Sequence, residues 1–361
     1  PRTIDALIVT HAHADHIGRI PKLVHDGFNG TIYSTAATRD LAEIMFEDAI
    51  RVMETEMQKS GCTMMYQKED VTSALALWRV REYHAPFEVG LVTVEFFDAV
   101  HILGSAMIKV SHSRSIFFTG DLGNSPEPLL NDTEIPEGIN YMVMESVYGD
   151  RLHEGREERA DVLRRAIEDI RARKGTLLIP SFSIERTQIL LYEIEKMLAD
   201  GMLQPIPVYL DAPLAIRITD VFRKHRSLLN AEVQARFEEG NDPFTFEGLT
   251  LTHDVAESHE IHAMPIPKVI IAGAGMSSGG RIRAHEKQYL PEKNATILFV
   301  GYQAPGSLGR RIQDGQRSVM IDGEKVRVRA RIQTLTGYSG HKDREGLMDF
   351  VESIGDSLEK V

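Results

Sequence analysis

The chain has 361 residues, 42% hydrophobic and 26% charged, with one cysteine and a formal net charge of −12. That length holds two domains or one large one with a full core, the absence of low-complexity tracts excludes disorder as the main theme, and no apolar run approaches the roughly 18 residues of a membrane span. The lone Cys62 excludes an intrachain disulfide and a thiolate zinc site, so any metal must be held by His and carboxylate. The negative balance disfavours a polyanionic partner, yet residues 280–331 carry eleven Lys or Arg against five Asp or Glu.

In chain order, strands are expected over residues 4–10, 31–34, 92–97, 106–111 and 115–119, short runs rich in β-branched or aromatic side chains. Residues 38–59 read as a long helix, with Leu41, Ile44, Met45, Val52, Met53 and Met57 on one face and Gly61 closing it. After residues 141–145 the rhythm changes to strand–helix alternation. Helices are expected over 157–173, 184–200 and 213–225, and strands over 176–179, 207–210, 269–272 and 296–300. This is the pattern of an open, largely parallel sheet with flanking helices. Residues 325–331 alternate basic and apolar positions, as one half-exposed strand does, and residues 344–354 finish with a helix.

The densest chemistry follows the first strand. His11, His13, Asp15 and His16 lie within six residues, where a loop at a strand end can aim two of them at one point and two at another. Imidazole and carboxylate suit zinc, and also manganese or iron. His101 and Asp121 each follow a later strand, Asp121 within a Gly-rich turn. Together they supply three His for one metal and an Asp–His pair for a second, with Asp121 as a bridge. Two adjacent divalent ions can clamp a phosphate, polarise it and generate a nucleophile near neutral pH. Ser181 and Ser183 precede the helix 184–200, whose first turn offers N–H groups to a phosphate, and Arg186 adds charge there. Ser183 reads equally well as a plain N-cap. Arg281, Arg310 and Arg311 are phosphate candidates because a guanidinium fork matches phosphate oxygens.

These residues resemble a known family. The run His11–His16, with His101 and Asp121, is similar to motifs two, three and four of the metallo-β-lactamase superfamily. The run Met144-Glu145-Ser-Val-Tyr-Gly-Asp150-Arg151 resembles motif A of its β-CASP nucleases, and Gly337-Tyr-Ser-Gly-His341-Lys-Asp343 resembles motif B. Between them, residues 180–188, 210–215, 273–281 and 301–311 resemble further β-CASP signatures. The likeness covers nearly the whole chain in the expected order and is nearest the bacterial and archaeal RNA-processing branch, akin to the endonuclease subunit of the mRNA 3′-end cleavage machinery. Motif B departs from the usual pattern, because Gly340 and Lys342 flank His341 where small residues are common.

The resemblance implies an α/β protein: a metallo-β-lactamase αββα sandwich with an inserted α/β β-CASP domain on a mainly parallel sheet. Residues 1–150 are expected to form the first part of the sandwich, 151–333 the insertion and 334–361 the return. The sandwich is expected to be truncated at both ends, since the superfamily's first-motif Asp and the motif C His fall outside this sequence. Two zinc ions are implied, one on His11, His13 and His101. The other takes Asp15, His16 and the motif C His, so that site is incomplete here, and Asp121 bridges. Asp15 would also orient the nucleophile, while His341, held by Glu145, would protonate the leaving oxygen. The implied activity is zinc-dependent hydrolysis of RNA phosphodiesters to 5′-phosphate and 3′-hydroxyl ends, endonucleolytic or 5′-exonucleolytic, by a protein whose relatives often form homodimers. No membrane partner is expected. With no targeting segment in view and one cysteine, the expected compartment is the cytoplasm. The rivals are a DNA-processing β-CASP nuclease and a catalytically silent RNA-binding paralogue; the second conflicts with the filling of every ligand position that falls within this sequence.

Overall fold

Two families of strands divide the chain, and each follows from how its residues are buried. The computed structural model describes residues 1–153 and 158–361. It separates into one unit made of Pro1–Leu152, Val221–Asn230 and Gly340–Val361, and a second made of His153–Asp220 and Ala231–Ser339.

In the first unit, β1 (Ala6–Ile8), β2 (Thr31–Ser34) and β3 (Trp78–Val80) pair in parallel in that order. The helix Ala36–Ser60 follows β2; Thr35 caps its N-terminus by accepting the Thr38 N–H, and Gly61 ends it at φ +71°. Its Phe46 packs against Trp78, whose indole N–H donates to Ser34 Oγ at 2.8 Å. A second sheet runs β4 (Phe87–Val89), β5 (Val92–Asp98), β6 (Ala106–Ser111), β7 (Ser115–Phe118) and β8 (Tyr141–Val143), antiparallel except for the last pair. One face of this sheet packs Val94, Phe96, Ala106 and Ile108 against Ile8 and Tyr33 of the first sheet. The other face packs Met107, Phe117 and Met142 against Leu347, Phe350 and Ile354 of the helix Arg344–Ile354. Helix, two sheets and helix are thus stacked as the αββα sandwich expected. Alternation along β5 and β7 places an apolar residue on each core face.

In the second unit, β9 (Thr176–Pro180), β10 (Val208–Asp211), β11 (Leu249–Leu251), β12 (Lys268–Ala272) and β13 (Thr296–Phe299) come first. Next follow β14 (Ser318–Ile321), β15 (Glu324–Arg327) and β16 (Arg331–Thr334). Among the described residues, the order β11-β10-β12-β9-β13-β16 makes one all-parallel sheet. Every residue of β9, β10, β12 and β13 is buried, as a sheet covered on both faces requires.

Three expectations need correction. Residues 325–331 are not one strand. Asp322 and Gly323, at φ +48° and +82°, form a tight turn that pairs β14 with β15 antiparallel, and β16 starts only at Arg331. The helix expected from residue 184 begins at Arg186, because Glu185 takes φ +63°, and Ser183 is not its cap. The helix expected from residue 157 runs Arg159–Ala172; Glu157 itself lies outside the described residues. No helix among the described residues is long and apolar enough to cross a membrane.

Candidate metal centre

The end of β1 delivers the first candidate ligands. Ala12 and Ile17 are fully buried and anchor a loop and the short helix Ala14–Ile17, which leaves His11, His13, Asp15 and His16 to project. Apolar anchors on both sides of His13 fix its direction without using its ring.

His101 comes from the loop after β5, and that loop is strained. Val100 sits at φ +56°, a region that β-branched residues avoid. Asp98 Oδ1 holds it there by accepting the Val100 N–H at 2.8 Å. Gly123 presses on the same point: a Cβ on it would lie 1.9 Å from the Val100 carbonyl oxygen, so only glycine fits. Gly123 also bridges to His341, which brings the return segment to the site.

The side chains converge. His11 Nε2 lies 3.1 Å from His13 Nδ1, and His101 Nε2 lies 3.1 Å from that same nitrogen. Asp121 Oδ2 is 3.5 Å from both His11 Nε2 and His101 Nε2. One ligand atom from each of His11, His13, His101 and Asp121 lies within 4.8 Å of all the others. Asp121 Oδ1 faces the other way, 3.5 Å from His16 Nε2, and Asp15 Oδ2 is 3.6 Å from that nitrogen. Asp121 therefore joins the two groups that the spacing suggested.

Burial pushes the His11 and His101 imidazoles well below their ordinary pKa, and pushes His13 down to about 4. All three are neutral near pH 7, with lone pairs available. Burial alone would raise Asp121, but its hydrogen bond with His16 and the surrounding imidazoles outweigh this and bring it to about 2. The same contact raises His16. Three neutral imidazoles and a carboxylate that converge on one point suit a cation between them. The far nitrogens are held: His101 Nδ1–H donates to Gly340 O at 2.8 Å, and His11 Nδ1 lies 3.2 Å from Thr10 Oγ. Such partners set the tautomer and leave the other nitrogen to bind metal. The donor set fits zinc.

Asp121, Glu145 and His341 form a second cluster within the same 4.8 Å limit. Both carboxylate oxygens of Glu145 lie 3.2 Å from His341 Nδ1, and the Leu122 N–H donates to that carboxylate. The ring centroids of His341 and His101 are 4.6 Å apart.

Family profiles agree with this geometry. Residues 1–181 match the metallo-β-lactamase superfamily, 187–312 match the β-CASP domain, and 325–357 match the zinc-dependent metallo-hydrolase RNA specificity domain. The chain belongs to the β-CASP family of the metallo-β-lactamase superfamily. It is a metal-dependent hydrolase of the nuclease branch. This β-CASP chain is 36% identical to Ribonuclease TTHA0252 of Thermus thermophilus, covering 98% of itself and 80% of that protein. It is 31% identical to the transcription termination factor FttA of Methanothermobacter thermautotrophicus and 32% to that of Pyrococcus horikoshii. It spans 58% and 56% of those two proteins.

The structure distributes the RNA-contact candidates of this β-CASP protein unevenly. Ser181 is buried, and its hydroxyl accepts from Thr187 Oγ at 3.0 Å, so it shapes the loop rather than presenting itself. Arg281 is a correction. Its guanidinium is held by buried Asp211 at 2.6 Å and donates to the carbonyls of Thr252 and His253, which leaves it a structural tie. Arg186 lies 5.6 Å over the Tyr338 ring, Arg310 pairs with Asp314 at 2.8 Å on the helix Leu308–Gln313, and Arg311 follows it. Ser183 is half-buried, with its carbonyl accepting from Gln188. The residues that sequence reading missed are Thr10, Asp98 and Gly123. Asp98 and Gly123 stand two or three positions from a candidate ligand, yet nothing local marks their roles.

Proposed function

We propose that this β-CASP protein is a zinc-dependent ribonuclease that cuts RNA phosphodiesters to leave 5′-phosphate and 3′-hydroxyl ends. The observation that carries this is the Glu145–His341 pair placed against Asp121, one residue of the metal cluster. An acid seated at a metal site serves leaving-group departure, which simple metal storage has no use for.

His11, His13 and His101 would hold one ion, Asp15 and His16 would contribute to a second, and Asp121 would serve both. When bound, the pair supplies Lewis acidity toward the phosphate and lowers the pKa of water. The side chains do the rest. Asp15, exposed and beside His16, accepts a hydrogen bond from the attacking water and sets its direction. Glu145 fixes the His341 ring through Nδ1, so Nε2 is the atom that delivers a proton to the departing 3′ oxygen. The RNA substrate is supported by the RNA specificity domain at 325–357 and by a relative named as a ribonuclease. Ser183, Arg186, Arg310 and Arg311 remain the candidates for its phosphates.

The test is His341→Ala in the metal-loaded protein, assayed on a 5′-labelled single-stranded RNA. Cleavage should fall by about 10²–10⁴-fold, with metal content by mass spectrometry unchanged. Undiminished cleavage would remove His341 from the reaction. Chelator-resistant cleavage by the parent protein would remove the metal.

A further inference from the structure

Loops at the carboxyl ends of β9, β12 and β13 contain a feature that the metal centre does not use. Phe182 follows β9, Gly275 lies in the loop after β12, and Gly301 and Tyr302 lie in the loop after β13. A Cβ on Gly275 would come 2.7 Å from Phe182 Cδ2, and one on Gly301 would come 2.9 Å from Phe182 Cε2. One edge of the ring is therefore wedged between two backbone segments that only glycine allows so close. Gln303, itself buried, ties the same segments together: its Nε2 donates to Gly275 O at 2.9 Å and to Gly301 O at 3.1 Å.

All this fixing serves a ring that stays 37% exposed, and Tyr302 beside it is 55% exposed. A phenylalanine held for core packing would be covered. The carboxyl edge of an open parallel sheet is where such sheets receive ligands. The residues next to the two rings in the chain are polar or glycine: Ser181 and Ser183 flank Phe182, and Gly301 and Gln303 flank Tyr302. Flat π faces with backbone and polar neighbours match a nucleotide better than an apolar peptide.

We propose that Phe182 and Tyr302 form a platform on which bases of single-stranded RNA stack, one base to each ring. The platform rests on the ribonuclease reading and specifies the form of substrate: unpaired nucleotides, with little regard to base identity because every base has a π face.

The experiment is fluorescence anisotropy on the full metal-loaded chain with a labelled single-stranded RNA dodecamer, and with the same strand carrying abasic riboses. Phe182→Ala and Tyr302→Ala should each weaken binding of the intact strand by about tenfold. Phe182→Leu, which keeps the bulk and loses the π face, should match Phe182→Ala, and Phe182→Trp should bind as the parent does. On the abasic strand the parent should already bind weakly, and the variants no worse. Variants that bind intact RNA like the parent overturn the platform, as does a loss that is equal on intact and abasic strands. A parent that neither binds nor cleaves RNA overturns the ribonuclease reading and the platform with it. A parent that binds and cleaves beside unaffected variants overturns the platform alone.

Discussion

The two units each hold a cluster of Asp and His, and the clusters are built to opposite ends. Around Asp121, nitrogens from His11, His13 and His101 converge, and the carboxylate is also hydrogen-bonded with His16. Around Asp211, the donors are already there. Its carboxylate accepts from Thr252 Oγ at 2.6 Å, Ser258 Oγ at 2.5 Å, Arg281 Nη1 at 2.6 Å and His285 Nε2 at 2.7 Å. His285 Nδ1 in turn lies 3.1 Å from His262 Nε2. The same residue types thus make a candidate metal site where ring nitrogens and a carboxylate face one point, and a structural knot where the carboxylate is enclosed by hydroxyl, guanidinium and imidazole groups. Residue composition alone does not separate the two. What faces the carboxylate does.

The sharpest way to break this contrast is to cut each cluster once. His13→Ala should abolish metal loading and bring RNA cleavage to background, read by metal mass spectrometry and a labelled-RNA assay. Its folding should change far less than that of Asp211→Ala. The latter leaves half-buried Arg281 and buried His285 without their anion, and should cost about 3–5 kcal/mol in urea unfolding while metal content stays at the parental value. If Asp211→Ala lost metal, or His13→Ala unfolded the protein, the distinction would fail.

Acid sharpens the comparison further. Burial alone would raise the Asp211 carboxyl, but hydrogen bonds from His285, Ser258, Thr252 and Arg281 outweigh it and hold the group well below the usual carboxylate range. A depressed carboxyl stabilises fully above its unfolded pKa, and the contribution is lost as pH falls from about 4 downward. Urea unfolding of the parent should therefore weaken through that window, and Asp211→Asn should flatten the acid limb. The smallest effect belongs to the support of the metal ligands. Thr10→Val removes the oxygen beside His11 Nδ1 and should weaken metal affinity by about tenfold, measured by competition with a chromophoric chelator.

The sequence made the candidate ligands legible because each follows a strand end within a few residues, where local pattern and chemistry coincide. His11 and His13 stand out in a dense local cluster, whereas His101 and Asp121 were picked out only together with that cluster and by the family motifs they resemble. What remained hidden was tertiary. Arg281 looked like a free phosphate fork because its partner, Asp211, stands seventy positions away. The start of the helix Arg186–Ala199 was misplaced because Glu185 adopts a left-handed conformation that no propensity favours. The β14–β15 hairpin was readable and was missed: Asp322-Gly323 is a strong turn signal, overshadowed by the basic alternation that follows it. The helix Lys68–Ala76 likewise carried its own mark, the reciprocal Gln67–Asp70 capping box.

The hold of the Gly340 carbonyl on His101, and the pairing of Gly123 with His341, have a bearing on how the protein is made. Roughly 200 residues separate Glu145 from Gly340, so at about 5–20 residues per second the ribosome needs on the order of 10–40 s to deliver the second after the first. Throughout that interval the nascent chain carries His101 without the carbonyl that holds its Nδ1, and Glu145 without His341. The surroundings of His101 are thus completed only after the whole intervening domain has been made.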